Sequence, residues 1–202
     1  MTSDIANILK GYIETLPFID KIGGLVKAVT FMDAPDEGTA IKRIMPVDCG
    51  TSAKECLSGK YIPLLPDSRF MSVLFFEDQG TVLLARDQKD FSFQSNMILV
   101  GWLNKKKLGK TSCSISALAI ASILDKFPTN YFNSSPYTRI LIQVEGELPK
   151  TNAIFSKYTM DEEKLQFLMH PYDYFALSIN VKFTIPKACL TLLTPGPENC
   201  DE

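Results

Sequence analysis

The sequence has very little histidine, since His170 is the single one among 202 residues. One imidazole excludes multi-histidine metal sites and most catalytic sets that are built on histidine. A thiol–imidazole pair with Cys113 or Cys189 stays open, because Cys113 begins a predicted helix whose dipole favours a thiolate. A buried structural role is commoner for such cysteines, so we predict no catalytic residue.

Cysteine is also scarce and shows no pairing pattern. The five cysteines are odd in number and lack the spacing of a disulfide framework: Cys49, Cys56, Cys113, Cys189 and Cys200. This pattern indicates free thiols in a reducing compartment. Cys49 and Cys56 are also too far apart in sequence for a zinc knuckle. We therefore predict neither a metal site nor another cofactor.

Long apolar runs and a strong net charge are missing as well. No stretch approaches the roughly 18–20 apolar residues that cross a bilayer, and the acidic, polar N-terminus is unlike a secretory signal. The formal net charge of −2 is too small to attract nucleic acid or an anionic membrane to the whole molecule. The expectation is a soluble intracellular protein with no membrane partner.

The N-terminal third contains one clear helix and then a loose region. Apolar residues at helical spacing predict an amphipathic helix over Ile5–Leu16, capped by Thr2 or Ser3 and packed on a sheet. A first strand is predicted over Leu25–Met32. From Ala34 to Asp67 the prolines and glycines favour a surface excursion or an edge hairpin and argue against a central strand.

The middle of the chain contains the strongest strand patterns. Phe70–Phe76 is apolar, and 78–80 reads Asp-Gln-Gly, so a turn there should fold Thr81–Ala85 back as a hairpin. The nearly unbroken apolar run in Asn96–Leu103 is typical of a strand covered on both faces. A helix rich in alanine and serine is then predicted over Cys113–Phe127, stopped at Pro128.

The last two strands alternate regularly. Tyr137–Glu145 and Phe175–Ile185 each place apolar residues on one face and mostly polar ones on the other. The order of elements predicts an α+β fold with a single, mostly antiparallel β-sheet and two helices packed on one face. The other face is expected to be free. We predict one domain over 1–190, with a loop-rich insertion at about 34–67 and a frayed tail at 191–202.

A basic loop joins the apolar strand to the second helix. Gly109, Lys110 and Thr111 match the end of a phosphate-binding loop, G-x-x-x-x-G-K-[ST]. Asn104 occupies the place of its first glycine, and three lysines fill the space where compact backbone is needed. The alternative is a solvated turn whose side chains cap the helix. Its cations then form a candidate interface with a protein or with passing nucleic acid: Lys105, Lys106, Lys107 and Lys110.

The order of elements also resembles a known family. An amphipathic helix (Ile5–Leu16) opens the chain, and the middle strand ends in Trp102-Leu103. A helix over Ser114–Phe127 follows, and the chain closes on the alternating strand Tyr172–Phe183. This layout is similar to that of the tail-terminator (tail-completion) proteins of long-tailed bacteriophages and prophages. The resemblance covers roughly 1–33 and 68–186, and the segment at 34–67 has no counterpart in it.

That resemblance implies a structural role without catalysis. Members of the family are small α+β subunits that form a hexameric ring on the tail tube, stop its growth and join it to the head. The implied partners are copies of the chain itself and tail-tube or head-completion proteins, with no small-molecule substrate. The implied location is the host cytoplasm during assembly and then the virion tail. Two alternatives remain: a nucleotide-binding module centred on Gly109-Lys110-Thr111 and another phage head–tail connector.

Overall fold

A computed structural model describes residues 1–33, 41–48, 62–109, 115–159 and 169–189. The helices within these ranges are α1 (Thr2–Ile13), α2 (Ile115–Lys126) and a short 3-10 helix (Asn152–Phe155). The strands are β1 (Lys21–Leu25), β2 (Lys27–Asp33), β3 (Ile41–Asp48), β4 (Ile62–Pro63), β5 (Ser72–Arg86), β6 (Asp90–Asn104), β7 (Phe132–Ser134), β8 (Tyr137–Glu147) and β9 (Tyr172–Pro186).

The fold is α+β and is dominated by one large sheet. Its strand order is β1-β5-β6-β9-β8-β7, and every neighbouring pair is antiparallel except β1 with β5. The prediction of a mostly antiparallel α+β fold is thereby confirmed. The prediction of a single sheet is wrong, because β2, β3 and β4 form a second, three-stranded sheet.

Both helices contribute to one core on what we call the inner face of the large sheet. The apolar stripe of α1 packs into the core, as its helical spacing predicts, and α2 buries Ile115 and Ile123 but leaves Leu118 60% exposed. The N-cap of the first helix is Met1, which makes no side-chain capping hydrogen bond, so the prediction of Thr2 or Ser3 as the cap is wrong. The core residues come from the helices and from every second position of β5, β6, β8 and β9: Ile5, Leu9, Ile13, Ile115, Ile123, Leu74, Phe76, Met97, Leu99, Ile142, Phe175, Leu177, Ile179 and Val181.

The opposite, outer face is not free at one end. Trp102 stacks on Phe155 of the 3-10 helix, with ring centroids 4.7 Å apart, and Leu64 beside the small sheet packs into the same aromatic cluster. The aromatic residues after Pro149 carry no clear periodicity, so their packing on the sheet was not predicted. Farther along β9 the outer face is polar, with Ser178 and Lys182 at alternate positions.

The strand predicted over Leu25–Met32 is two strands. β1 pairs in parallel with β5 up to Leu25, and the N–H of Val26 donates to the carbonyl of Phe76 at 2.9 Å. From Lys27 the chain leaves the large sheet and pairs with β3. The large sheet therefore loses its edge strand beyond Phe76.

The described part of the predicted insertion at 34–67 builds the small sheet. β3 contains Pro46 and lies between β2 and β4, so the expectation that prolines exclude a central strand here is wrong. The strand tolerates Pro46 because β4 pairs only with Val47 and Asp48, and the Pro46 carbonyl still accepts from the N–H of Leu64.

The turn predicted at 78–80 is instead a bulge inside one long strand. β5 runs without interruption through Asp78 and Gly80, and its register with β6 shifts between Asp78 and Thr81. Gly80 adopts a φ of +101°, and its N–H donates to the Asp78 carboxylate at 2.8 Å. A turn-like sequence therefore produces an irregularity that leaves the strand direction unchanged. The reversal comes later, where the Asp87 N–H donates to the Asp90 carbonyl.

The remaining strand predictions agree with the structure, and some others lie beyond the described residues. The long strands β8 and β9 contain the predicted alternating segments. Residues 113–114 of the second predicted helix, most of a helical turn predicted around Glu162–Met169, and the tail at 191–202 are outside the described ranges.

Candidate functional site

The basic loop after β6 is closed by its own hydrogen bonds. Four backbone N–H groups in it donate to protein oxygens: Lys105 to Pro171 O (2.8 Å), Lys107 to Asn104 Oδ1 (3.2 Å), Leu108 to Asn104 O (3.0 Å) and Gly109 to Lys106 O (3.3 Å). A phosphate-binding loop uses such groups to cradle the anion. The described half of this loop uses them to hold its own shape, and Lys110 and Thr111 lie outside the described residues.

The lysines of this loop do not act as one patch. Lys105 Nζ lies 3.8 Å from the carboxylate of Asp173, and Lys150 Nζ lies 2.9 Å from it. Lys150 also donates to Ser116 in the first turn of α2, at 2.7 Å. Lys106 and Lys107 are exposed. Lys105 is therefore part of an ion-pair cluster that fastens the loop to β9 and α2, and among the described lysines of the loop Lys106 and Lys107 are the ones available to a partner.

No described contact supports the thiol–imidazole pair. His170 is exposed, Cys189 is a free and partly buried thiol, and no hydrogen bond joins them within the described ranges. Cys113 lies outside those ranges. Among the described residues, no group of three histidine, cysteine, aspartate or glutamate side chains is placed to hold a metal ion. None of the described helices is long and apolar enough to cross a membrane.

The most unusual surface feature is the second half of β5, from Asp78 to Arg86, which we call the open edge. β5 pairs with β6 on one side along its whole length, but β1 covers its other side only as far as Phe76. Among the described residues, no strand pairs with the free side beyond that point. An unpaired row of N–H and C=O groups there is able to accept another strand.

The side chains of the open edge are apolar in its middle. Val82, Leu83 and Leu84 are consecutive and 50–53% exposed. The sheet has a second partly unpaired edge on β8, but its exposed positions there include Gln143, Glu145 and Glu147. Charged side chains are a common protection of sheet edges against association. One edge of this sheet is protected in that way, and the other is not.

A pocket lies at the inner end of the open edge, on the outer face. It has a volume of about 470 Å³ and is lined by apolar residues of β6 and of the segment after β8, and by polar residues of which Glu77 is buried: Glu77, Gln79, Ile98, Leu148, Pro149, Thr151, Ala153, Ile154, Ser156 and Lys157. Its volume is within the range of small-ligand pockets, roughly 300–1,000 Å³.

The polar centre of this pocket is the side chain of Glu77, which is only 3% exposed. The Tyr158 hydroxyl donates to Glu77 Oε1 at 2.6 Å, and Lys157 Nζ lies 2.5 Å from Oε2. Burial, together with the negative charge of Glu77, raises the pKa of Tyr158 far above its usual range, so this hydroxyl stays a donor. Both carboxylate oxygens are thus engaged. These two contacts anchor the segment after β8 to the sheet. They also give the buried carboxylate the partners that it needs to be stable.

Sequence reasoning missed both the open edge and the Glu77 cluster. The run Val82-Leu83-Leu84 lacks the alternation of apolar and polar residues that a half-buried strand shows. This was the available signal that apolar side chains lie on both faces of this part of β5. Glu77 gave no signal of its own, because its partners are about 80 residues later in the chain.

Neither a protein-family model, nor a curated protein, nor a solved structure matches this chain. The function is therefore inferred from the described strands and side chains alone.

Proposed function

We propose that this chain is a structural assembly subunit that associates with copies of itself through the open edge of β5. The observation that carries the proposal is the conjunction of an unpaired strand side with three consecutive exposed aliphatic residues, Val82, Leu83 and Leu84. Natural proteins usually block such an edge with charge or cover it. An edge that is apolar and uncovered is expected to have a partner.

The energy available at this edge suits reversible assembly. Completing the burial of a half-exposed aliphatic side chain is worth roughly 1 kcal/mol, since full burial gives about 1.5–3 kcal/mol. Three such side chains and a few backbone hydrogen bonds supply a modest free energy. That amount favours subunits which remain separate when dilute and join when concentrated or templated.

The resemblance to tail-terminator proteins gives this subunit a biological setting. In that setting the chain acts as a ring of about six copies that caps a phage or prophage tail tube and joins it to the head, without a catalytic step. The confirmed α+β fold is compatible with that role. Closed rings limit their own growth through symmetry alone, so no cofactor is required.

The test is the mass of the protein in solution, measured by light scattering behind size-exclusion chromatography over a concentration series. We expect the apparent mass to rise above the 22.5 kDa of one chain as concentration increases. The double variant Val82→Lys/Leu84→Lys should stay at the mass of one chain, because two ammonium groups would have to be desolvated at the contact.

The matched control places the same change on another exposed leucine. Leu118 on α2 is 60% exposed and distant from β5 in sequence, and Leu118→Lys should associate as the unsubstituted protein does. Circular dichroism checks that each variant is folded. A mass of one chain at every concentration, or equal association of the double variant, would contradict the proposal.

A further inference from the structure

The open edge carries opposite charges at its two ends. Asp78 stands four positions before Val82, and Arg86 stands four positions after it. Both side chains are exposed. If two copies of this strand lie antiparallel with Val82 facing Val82, then Asp78 of each copy faces Arg86 of the other. Opposite charges directly across a strand pair are stabilising, and like charges are destabilising.

The irregularities of the strand have the same symmetry about Val82. One extra residue interrupts the ladder with β6 between Asp78 and Thr81, and another between Leu83 and Ala85. In the antiparallel arrangement, the first bulge of one copy lies opposite the second bulge of the other. Bulges normally prevent edge pairing because they change the twist and the register of one strand. Here both strands contain the same two interruptions, so the register is recovered at both ends.

The rival arrangement joins the open edge to the edge of β8 on a neighbouring copy. That contact would place Val82 and Leu84 against residues that include Gln143 and Glu145. The Gln143 amide and the Glu145 carboxylate, which accepts from the Ser178 hydroxyl at 2.7 Å, would then lose hydration beside apolar side chains, which costs free energy. Contact between two copies of the open edge about Val82 instead places Val82 directly on Val82, with Leu84 of the other copy diagonal to it; Leu83 and Leu84 then stand opposite Thr81 and Gly80, which bring no charge to the contact.

From these observations we infer that two copies of the chain pair antiparallel through their open edges about a two-fold axis at Val82, with reciprocal Asp78–Arg86 ion pairs. The inference rests on the proposed self-association and specifies its contact. Such a contact is isologous and gives a dimer by itself. A ring of about six copies with the tube on one side and the head on the other has two different ends and is built from a different, heterologous contact, so the two-fold dimer is the form expected of the chain free in solution.

The ion pair can form only between copies. Asp78 and Arg86 pair with Met97 and Phe91, six positions apart on β6, which separates them by roughly 20 Å along the strand. A charge exchange therefore tests the register directly. The variants are Asp78→Arg, Arg86→Asp and the double exchange, each measured by light scattering or sedimentation equilibrium over the concentration series at low ionic strength.

Each single variant should weaken dimerisation about tenfold or more, because two like-charge contacts replace two ion pairs. The double exchange should bring the dissociation constant back to within about threefold of the starting value. The double exchange restores neither the hydrogen bond that the Gly80 N–H donates to Asp78 nor the stacking of Arg86 on Phe91. A recovered dissociation constant therefore reports the contact between copies. The matched controls are Asp125→Arg and Lys106→Asp, which make the same charge changes at exposed positions elsewhere and should not weaken association.

Three results would overturn the inference in distinguishable ways. A protein that never exceeds the mass of one chain removes the proposed self-association as well. Association that Asp78→Arg leaves unchanged and Arg86→Asp weakens indicates pairing with the acidic β8 edge. Association that weakens with Lys106→Asp alone places the contact at the basic loop after β6.

Oxidative cross-linking provides a second measure of the register. Residues directly opposite in an antiparallel pair have Cα atoms about 4.5–5.5 Å apart, which is within disulfide range. Val82→Cys should form more disulfide-linked dimer than the unsubstituted chain, whose five cysteines set the background. Ala85→Cys lies off the axis and should stay at that background. Equal cross-linking at both positions would contradict the Val82 axis.

Discussion

The two halves of β5 each contain a run of large apolar residues, but their environments are opposite. Ser72–Glu77 is buried throughout, with Phe75 and Phe76 fully inaccessible, whereas Asp78–Arg86 is exposed at every position except Thr81. The first half lies between β1 and β6 and has α1 on one face and the aromatic cluster on the other. The second half has a neighbouring strand on one side only.

A run of apolar residues indicates that a strand must be shielded from water, but it does not indicate which part of the protein shields it. In the first half the chain provides the cover itself, at the cost of ordering two helices and the segment after β8. In the second half, cover from the described residues ends where the chain turns away at Val26. The proposal assigns the missing cover to a second copy. The predictions below test this contrast from its largest expected effect to its smallest.

The largest difference should appear between alanine substitutions in the two halves. Phe75→Ala removes a fully buried ring and should lower the free energy of unfolding by about 3–5 kcal/mol. Leu83→Ala at a 53% exposed position should change it by less than about 0.5 kcal/mol in the monomer. Urea unfolding at low protein concentration measures both. Equal losses would show that the second half is covered within one chain.

The boundary between the halves depends on the Glu77 cluster. Tyr158→Phe removes the donor to Glu77 Oε1 and leaves a buried carboxylate oxygen without its partner. We expect a loss of about 1–3 kcal/mol in urea unfolding. Tyr131→Phe is the control, since Tyr131 is 58% exposed and should tolerate the change. A neutral Tyr158→Phe would mean that water replaces the hydroxyl and that the cluster does not anchor the segment after β8.

The close packing of side chains around Ser72–Glu77, the covered half of β5, can be tested at Gly101 on the neighbouring strand β6. A Cβ at Gly101 would lie 2.5 Å from Cζ of Phe175 and 3.2 Å from Cγ of Leu74. Gly101→Ala should therefore destabilise the protein by about 1–3 kcal/mol through overpacking. Gly11 on α1 has nothing within 4 Å of its Cβ position, and Gly11→Ala should be neutral or stabilising because alanine favours helix. Thermal unfolding compares the two, and a tolerated Gly101→Ala would show that the Phe175 ring moves aside easily.

The smallest effect concerns the contact that seats α1 over the sheet. The Tyr137 hydroxyl donates to the Asp4 carboxylate at 2.6 Å, and this bond lowers the pKa of Asp4 below its ordinary value of 3.8. A folded pKa below the unfolded one stabilises the protein above the unfolded value, and that contribution is lost as pH falls through the folded value. Stability should therefore decrease below about pH 4.

Substituting the donor tests this assignment. Tyr137→Phe should make the stability less dependent on pH between about 2 and 5, as measured by urea unfolding at several pH values. Tyr12→Phe is the matched control and should keep the original dependence, because no described hydrogen bond involves its hydroxyl. An unchanged slope in Tyr137→Phe would mean that other carboxylates control the acid response.

Regular patterns explain which parts of the fold were predictable. Strands β8 and β9 and both helices follow from periodicity, because alternating and helical spacings report directly which face is buried. The Asp78-Gln79-Gly80 segment was misinterpreted, because glycine with positive φ suits a bulge as well as a turn, and only the partner strand distinguishes them. The small sheet was not predicted, because the prolines and glycines within 34–67 indicated turns, while its pairings join β2 to strands inside that segment.

The candidate site was less predictable than the fold. Lys106 and Lys107 are exposed, as the interpretation as a solvated loop predicts. Lys105 instead forms an ion pair with Asp173, nearly 70 positions later. Ion pairs and edges between distant segments leave no local pattern. The phosphate-loop alternative at Gly109, Lys110 and Thr111 stays a prediction.

The α+β class, the amphipathic first helix, the second helix and the alternating final strand follow from the sequence alone, because these depend on interactions between residues a few positions apart. Only the tertiary structure decided which apolar strand is covered and which is left open. That outcome depends on where β1 ends beside Phe76 and where the segment containing Tyr158 packs, and both are contacts between residues far apart in the chain. The local sequence indicates that Val82, Leu83 and Leu84 favour burial. The path of the rest of the chain leaves them exposed to solvent.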